Sequence, residues 1–404
     1  MIVKLALRNV FRQKARTAMT LAAIVFGVAG LIIAGGFVQD VFIQLGEAVV
    51  HTQTGHVQVF RKGFFEHGTR RPEQYLIDDA GAIKQALAKL PHVQHVSARL
   101  NFSGLMNNGK RDFPIVGEGI EPKVEAKLSD YLKITAGRTL GDDDRFGMLV
   151  GQGVAEHLQL SPGDHVTLVI NTAAGALNSL DFTVVGVFQS FSKDFDARAV
   201  RIPLQAAQTL MNTDGANVLV MVADDTEHTD AVLAATRAQL AGGPLEARSW
   251  RQLSDFFDKT VQLYDAQFGF LKFIILVMVI LSVVNSVNMN VFERMSEFGT
   301  MRAIGTTPRN VFVLLVVENT LLGCGGALLG VLIGMLVALI VSAIGIPMPP
   351  PPNASLGYTA YIRLVPSTIA GAFLVGVLAT VLAALLPARR AAHRPIVDAL
   401  RQGT

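Results

Sequence analysis

The sequence predicts a membrane protein with four transmembrane α-helices and a large α+β extracytoplasmic domain between helices 1 and 2. That domain reads as a ferredoxin-like split module with a β-rich insert. Three observations predict it. Of the 404 residues 50% are hydrophobic and only 17% are charged, against roughly 25% charged in a soluble domain. The apolar residues gather into four runs long enough to cross a bilayer, which takes about 20 residues. The polar stretch 39–267 alternates short strand-like and helix-like segments.

The spans read as 18–38, 268–289, 311–346 and 369–386. Ala34-Gly35-Gly36 resembles a signal-peptide cleavage site, but the apolar core before it exceeds the about 7–15 residues of such peptides. The first run is therefore read as a retained span. Basic residues set the orientation. Lys4, Arg8, Arg12, Lys14 and Arg16 precede span one, and Arg294, Arg302 and Arg309 join spans two and three. Arg389, Arg390, Arg394 and Arg401 follow span four, whereas the connection between spans three and four holds only Arg363. Segments 1–17, 290–310 and 387–404 are thus expected in the cytoplasm, with 39–267 and 347–368 outside.

The net charge of +3 is too small to point to nucleic acid. The single cysteine, Cys324, lies in an apolar run, so no disulfide within the chain can staple the outer domain. Lys272 is expected to snorkel to the outer interface. Glu318 and Asn319 mark either a polar contact between helices or the inner interface itself. Gly323, Gly326, Gly330 and Gly334 form a smooth stripe for close helix packing, within one chain or between two.

In the outer domain, His56–Phe60 alternates as a strand, Asp79–Leu90 reads as a helix and Val93–Arg99 as a strand. The pattern returns as the strand Val218–Val222, the helix Asp230–Leu240 and the strand Glu246–Trp250. Two β-α-β units bracketing the domain predict the split module. Between them, Asn107-Asn108-Gly109 and Ser161-Pro162-Gly163-Asp164 read as turns, the latter leading into the strand His165–Ile170. Thr172–Ser179 reads as a hairpin tip before the strand Phe182–Phe188, and Asp255–Gln267 as a polar helix running straight into span two.

Chemistry of its own is not indicated. His51, His56 and His67 lack metal-ligand spacing. Asp142-Asp143-Asp144 lacks the rest of a calcium loop. There is neither a G-x-S-x-G elbow nor a G-x-x-x-x-G-K-[ST] phosphate loop. No catalytic residue, resident cofactor or metal is expected. The informative segment is 290–310, where Glu293 and Glu297 lie one helical turn apart, Gly299 and Gly305 interrupt the helix, and Thr306-Thr307-Pro308 ends it.

There the sequence resembles a known family. Glu293-Arg294 followed by Glu297-Phe298-Gly299-Thr300-Met301-Arg302-Ala303-Ile304-Gly305 is similar to the signature of the MacB/FtsX-like, or type VII, ABC transporter permeases. Ala6–Arg12 with Lys14–Thr17, Glu318 with the following glycines, and Pro387–Ala392 with Pro395–Arg401 resemble other parts of that family. The order of one span, a large outer domain and three more spans also matches.

The resemblance implies a permease that works by mechanotransmission. Its 290–310 loop would dock on a separate P-loop ATPase that holds the ATP and Mg, through Glu293, Arg294, Glu297 and Arg302. A second permease chain would complete a dimer. MacB itself carries its ATPase on the same chain, and FtsX has a smaller outer domain; layout and size here are closest to the lipoprotein-releasing Lol-type permeases. Membrane lipid, a lipoprotein and a periplasmic carrier are then the expected partners. Thr172, Gly175 and Leu177 at the hairpin tip are the positional choice for contact with them. A second reading keeps the same motion but makes its output control of a cell-wall hydrolase or sensor kinase.

Overall fold

The computed structural model describes residues 14–68, 72–126, 132–172, 174–350 and 357–396. Lys4, Arg8, Arg12 and Arg401, Ala173 of the hairpin tip and the proline-rich residues 351–352 lie outside the described residues. The described residues open on α1 (Lys14–Val49), which continues as a π-helical turn, Val50–Thr54. There follow β1 (Val57–Arg61), α2 (Ala80–Leu87), β2 (Val93–Asn107), β3 (Asp112–Ile120), β4 (Lys133–Gly137) and β5 (Gly147–Gly151). Next come α3 (Gln152–Leu158), β6 (His165–Asn171), β7 (Leu177–Gln189), β8 (Ala199–Pro203) and α4 (Leu204–Met211). Then β9 (Val218–Ala223), α5 (Thr229–Gln239) and β10 (Leu245–Ser249) close the domain. The helices α6 (Asp255–Glu293), α7 (Met295–Ala303), α8 (Pro308–Ile344) and α9 (Pro366–His393) follow among the described residues. By contacts the chain divides into two units. One holds 1–42, 260–347 and 359–404; the other holds 43–259 and 348–358.

In the domain unit the strands β10-β1-β9-β2 lie side by side, antiparallel throughout. With α2 and α5 as crossovers this is the split β-α-β module read from the sequence. Its core joins Val57 and Val59 of β1 to Leu87 of α2, Val96 of β2, Leu219 and Met221 of β9 and Val232 of α5. β9 is buried along its whole length, which explains its unbroken apolar run: Val218 and Val220 face a second cluster with Phe60 and Phe64. Strand β2 outruns its module. Val93–Arg99 pair with β9, and Leu100–Asn107 pair with β3 through the Asn107-Asn108-Gly109 turn. Gly109 sits at φ +83, a backbone that suits glycine. The insert then packs Phe102, Met106, Val150, Leu168, Phe182 and Val200 into its own core.

Three local expectations change. The hairpin tip is shorter than Thr172–Ser179, because Asn171 already pairs with Leu177 and the period-two ladder runs on through Ser179. Trp250 does not end a strand; it starts a single turn, Trp250–Leu253, capped reciprocally by Ser249 and Gln252. Gly299 does not interrupt a helix, because it lies buried inside α7, and the break falls at Arg294. Gly305, at φ +104, ends α7, and the Thr307 side chain caps α8 by accepting from the Asn310 N–H.

Among the described residues, four helices are long and apolar enough to cross a membrane. Val279, Val283 and Val287 recur every four residues along α6 and meet Ile24, Val28 and Ile32 of α1 and the small residues Ala372, Ala379 and Ala383 of α9. Opposite faces expose Phe270, Met278, Leu332, Leu336, Leu378 and Leu382, which suits a hydrocarbon solvent. α9 runs past the expected end of the span, with Pro387 inside it. Beyond span one, the buried Asp40 accepts from the Tyr361 N–H at 2.8 Å and from Arg363 Nε at 2.9 Å. The lone arginine between spans three and four is thus tied to α1. Lys272 is exposed on α6.

Candidate functional site

The helix junction at Arg294 is built around a buried charge. Arg294 ends the run of α6, and its guanidinium turns inward. Nη1 donates to both oxygens of Glu318, at 2.9 and 3.1 Å, and Nε donates to Glu297 Oε2 at 3.1 Å. The same guanidinium lies 5.2 Å from the Phe298 ring centre. Arg294 and Glu318 are both buried, at 8% and 2% exposure. Glu318 therefore makes a contact between helices, the first of the two readings of that position. Asn319 beside it is buried too and donates to the Leu315 carbonyl within α8. The side of α7 carrying Met295 and Phe298 packs with Val311 and Leu315 of α8 and Ala388 of α9.

This arrangement separates the four loop residues grouped from the sequence. Arg294 is an internal strut and is not on a docking surface. Arg302 is half-buried and donates through Nη1 to the Arg394 carbonyl, while the Arg394 guanidinium lies over Phe292 at 5.4 Å. Glu297 is half-buried beside Arg294, and Glu293 is exposed. The outer surface of the junction also carries Phe292 and Ile304, the latter 82% exposed. Phe292 lies under the Arg394 guanidinium, whereas Ile304 projects freely from the end of α7. Neither residue belongs to the charged pattern by which this segment stands out in the sequence.

The glycine stripe packs inside the chain. A Cβ on Gly326 would meet Ile24 at 3.0 Å, one on Gly330 would meet Val28 at 2.8 Å, and one on Gly334 would meet Ala29 Cα at 3.1 Å. Gly323 faces Thr380 of α9 instead. α8 thus lies close against α1, and the stripe is not an open face awaiting a second chain.

In the domain unit, the end of α1 is held by a buried ionic collar. Arg99 donates to Glu125 through Nε at 2.7 Å and Nη2 at 2.8 Å, and through Nη1 to the Gln53 carbonyl. Arg201 donates to Glu118 at 2.9 Å and to the Thr52 carbonyl at 2.8 Å. Two cations thus cap the carbonyl end of the π-helical turn that extends α1. Burial opposes the Glu125 charge, and Arg99 outweighs it, holding the carboxyl below its ordinary range. Burial likewise opposes the Arg99 charge, and Glu125 and Glu118 overcome it, so the guanidinium is held more firmly protonated than usual. Beside the collar, Trp250 is buried against Gly46 of α1 and packs edge-on with Phe257 at 4.6 Å. No motif flags this cluster, since its members lie far apart in sequence.

At the hairpin tip, Thr172 is buried and closes the turn, its Oγ1 accepting from the Ala176 N–H at 3.1 Å. It is therefore not available as a contact residue. Gly175, at φ +82, shapes the turn. Leu177, 77% exposed, is the apolar group that the tip presents. His51 and His56 lie with ring centres 6.0 Å apart, but His51 bonds to Glu47 and His56 to Thr226, and His67 is exposed.

The MacB-like periplasmic core domain family matches residues 17–239, and the FtsX-like permease C-terminal family matches 269–396. The lipoprotein-releasing system transmembrane protein LolC of Xylella fastidiosa (strain Temecula1) is 25% identical over 55% of this chain and 56% of its own length. LolC of Neisseria meningitidis serogroup B is 24% identical over 78% of this chain and 75% of its own length. This chain thus spans about half of the first relative and three quarters of the second. The periplasmic region of MacB from Actinobacillus actinomycetemcomitans aligns with 53% of this chain and 95% of its own at 17% identity, with a TM-score of 0.37. With both family matches in the expected order along four membrane-length helices, the chain is a multi-pass membrane protein of the MacB/FtsX-like permease family.

Proposed function

We propose that the chain is the membrane subunit of an ABC transporter whose ATPase is a separate chain. In this reading both termini and the 290–310 connection are cytoplasmic, and the domain between spans one and two is periplasmic. The positive-inside pattern supports that orientation. The ATPase docks on the exposed surface of the α6–α7 junction, with Glu293, Glu297 and Arg302 supplying charge and Phe292 and Ile304 supplying apolar area. ATP and Mg belong to the partner. A second permease chain, identical or a sister, completes the assembly. The output is movement of the periplasmic domain that extracts or exports a lipoprotein, lipid or other amphiphile and passes it to a periplasmic carrier.

One observation carries this reading: the Arg294–Glu318 pair ties the exposed junction to the interior of α8. A push on α7 would therefore reach the bundle rather than be absorbed in a loose loop. α6, which leads into the junction, runs unbroken from Asp255 to Glu293, longer than a bilayer requires.

The test is purification of the tag-bearing chain from its native membrane, with every bound protein identified. A P-loop ATPase should copurify, and its hydrolysis rate should rise with the permease present. Ile304→Asp and Glu297→Lys should each lower both the bound ATPase and the stimulation about tenfold or more, as expected for central interface groups. If both variants behave as the parent chain does, the docking assignment is wrong. A photo-crosslinker at Leu177 reads the output side, where capture of a lipoprotein or its carrier supports transport.

A further inference from the structure

We propose that His92, Asp224 and His228 form a binding site for a divalent transition metal of the zinc class. The three come from two connections that the sheet brings together. His92 lies just ahead of β2; Asp224 follows β9, and His228 ends the single turn Thr226–His228 that leads into α5. β2 and β9 are neighbours in the split module, and the Asp224 N–H donates to the His92 carbonyl at 3.1 Å.

The geometry is convergent. His92 Nδ1 lies 3.1 Å from Asp224 Oδ2, and His228 Nδ1 lies 2.7 Å from Asp224 Oδ1. The two rings are 4.0 Å apart, tilted by 33°. One ligand atom from each residue falls within 4.8 Å of the other two. Tetrahedral zinc with bonds of about 2.0–2.2 Å separates its ligand atoms by about 3.4 Å, so small side-chain rotations suffice. Two imidazoles and a carboxylate match borderline metals better than calcium or magnesium, which prefer all-oxygen shells.

The backbone supports the reading. His92 adopts φ +63, a left-handed backbone that histidine enters more readily than most residues with a side chain. It turns the ring toward Asp224 across the strand pair. Metal binding would move each imidazole proton from Nδ1 to Nε2. All three side chains are 41–49% exposed, so the ion can enter from solvent. A fourth position is left for water or a side chain of a partner. A metal here would staple the start of β2 to the end of β9.

The test uses the full-length, tag-free chain in detergent micelles, stripped of metal by chelator dialysis. Zn²⁺ alone is titrated against a chromophoric competitor, and Co²⁺ against its visible absorption. Expected are one tight Zn²⁺ per chain and a Co²⁺ spectrum of low coordination number. His228→Ala and Asp224→Asn should each weaken binding at least about tenfold, with His165→Ala as a control that leaves it unchanged. Because the three side chains are surface groups, these variants are expected to fold; near-ultraviolet dichroism matching the parent confirms that. No tight site in the parent chain, or equal affinity in parent, H228A and D224N, overturns the proposal and leaves a hydrogen-bonded surface cluster.

Discussion

The Arg99–Glu125 collar and the Arg294–Glu318 junction use the same chemistry for different ends. Each buries a guanidinium against a carboxylate, an arrangement whose desolvation is costly unless every donor is met. The collar meets them with two carboxylates, two backbone carbonyls and the Phe188 and Phe195 rings beside Arg201. The junction divides one guanidinium between the buried Glu318 and the half-exposed Glu297. The collar thus seals a helix end inside a core, whereas the junction has one anchor in the bundle and one at a surface where a partner can compete for it. In the proposed mechanism the junction is the transmitting joint, and what sets it apart from the collar is the exposure of its second carboxylate, not the ion pair itself.

The largest expected effect tests that distinction. Glu125→Ala leaves Arg99 buried with its closest counter-charge gone, which costs about 3–5 kcal/mol. The chain holds one tryptophan, Trp250, packed beside the collar, so its fluorescence reports unfolding of this region in the full chain. E125A should lower that transition by many degrees. Glu318→Ala should leave the Trp250 transition in place while ATPase stimulation falls about tenfold or more. If both variants lower the Trp250 transition alike, the joints are not independent and the comparison collapses.

The two joints were unequally legible in the sequence. The junction lies within one short charged segment whose residue order resembles a family signature, which is why Glu293, Arg294, Glu297 and Arg302 stand together as its docking candidates. Which of its residues face inward was not legible, because Glu318 stands 24 positions beyond Arg294 and their pairing depends on how α8 folds back. The collar left no trace, since Thr52, Arg99, Glu125 and Arg201 meet only once the insert is built. The split module was legible for the opposite reason. Its strands and helices carry local period-two and helical patterns, and the apolar run of β9 announces burial on both faces. The Thr172–Ser179 tip came out too long, because Asn178 and Ser179 are polar yet lie in a ladder whose alternate residues face solvent.

A smaller effect separates the collar from its surroundings by pH. His56 is buried, and its Nδ1 accepts from the Ala223 N–H at 3.2 Å, which requires a neutral ring with the proton on Nε2 facing Thr226. Burial, reinforced by His51, lowers its pKa from 6.5 to about 4. The unfolded chain therefore takes up this proton first. The stability it supports is complete above pH 6.5 and drains away as pH falls toward 4, by about 3 kcal/mol in all. Glu125 also has a depressed pKa, so its contribution is lost at lower pH, below its ordinary 4.5. A Trp250 unfolding midpoint that drops between pH 7 and 5 in the parent, and is flat in His56→Gln, assigns the loss to His56. The same slope in both chains would place it in titrating groups other than His56, and not in the collar carboxylate Glu125, whose contribution is lost only below pH 4.5.

The smallest effect concerns whether the transmitting joint acts on a close-packed bundle. Gly330 and Gly325 are both in α8, yet a Cβ on Gly330 meets Val28 at 2.8 Å and the Val25 carbonyl at 3.1 Å, whereas one on Gly325 meets nothing within 4 Å. Gly330→Ala should therefore force α8 away from α1, at about 1–3 kcal/mol for overpacking. Gly325→Ala gains helix propensity without a clash, so it should be neutral or stabilising by up to about 1 kcal/mol. Thermal loss of far-ultraviolet helicity in micelles reads the difference, since Trp250 reports the other region. If the Arg294–Glu318 pair passes a displacement along α8, G330A should also weaken ATPase stimulation severalfold while G325A leaves it intact. Equal stimulation in the two variants would mean that the α8–α1 contact supports the fold without carrying the motion, and the transmitting path would then run along α6 alone.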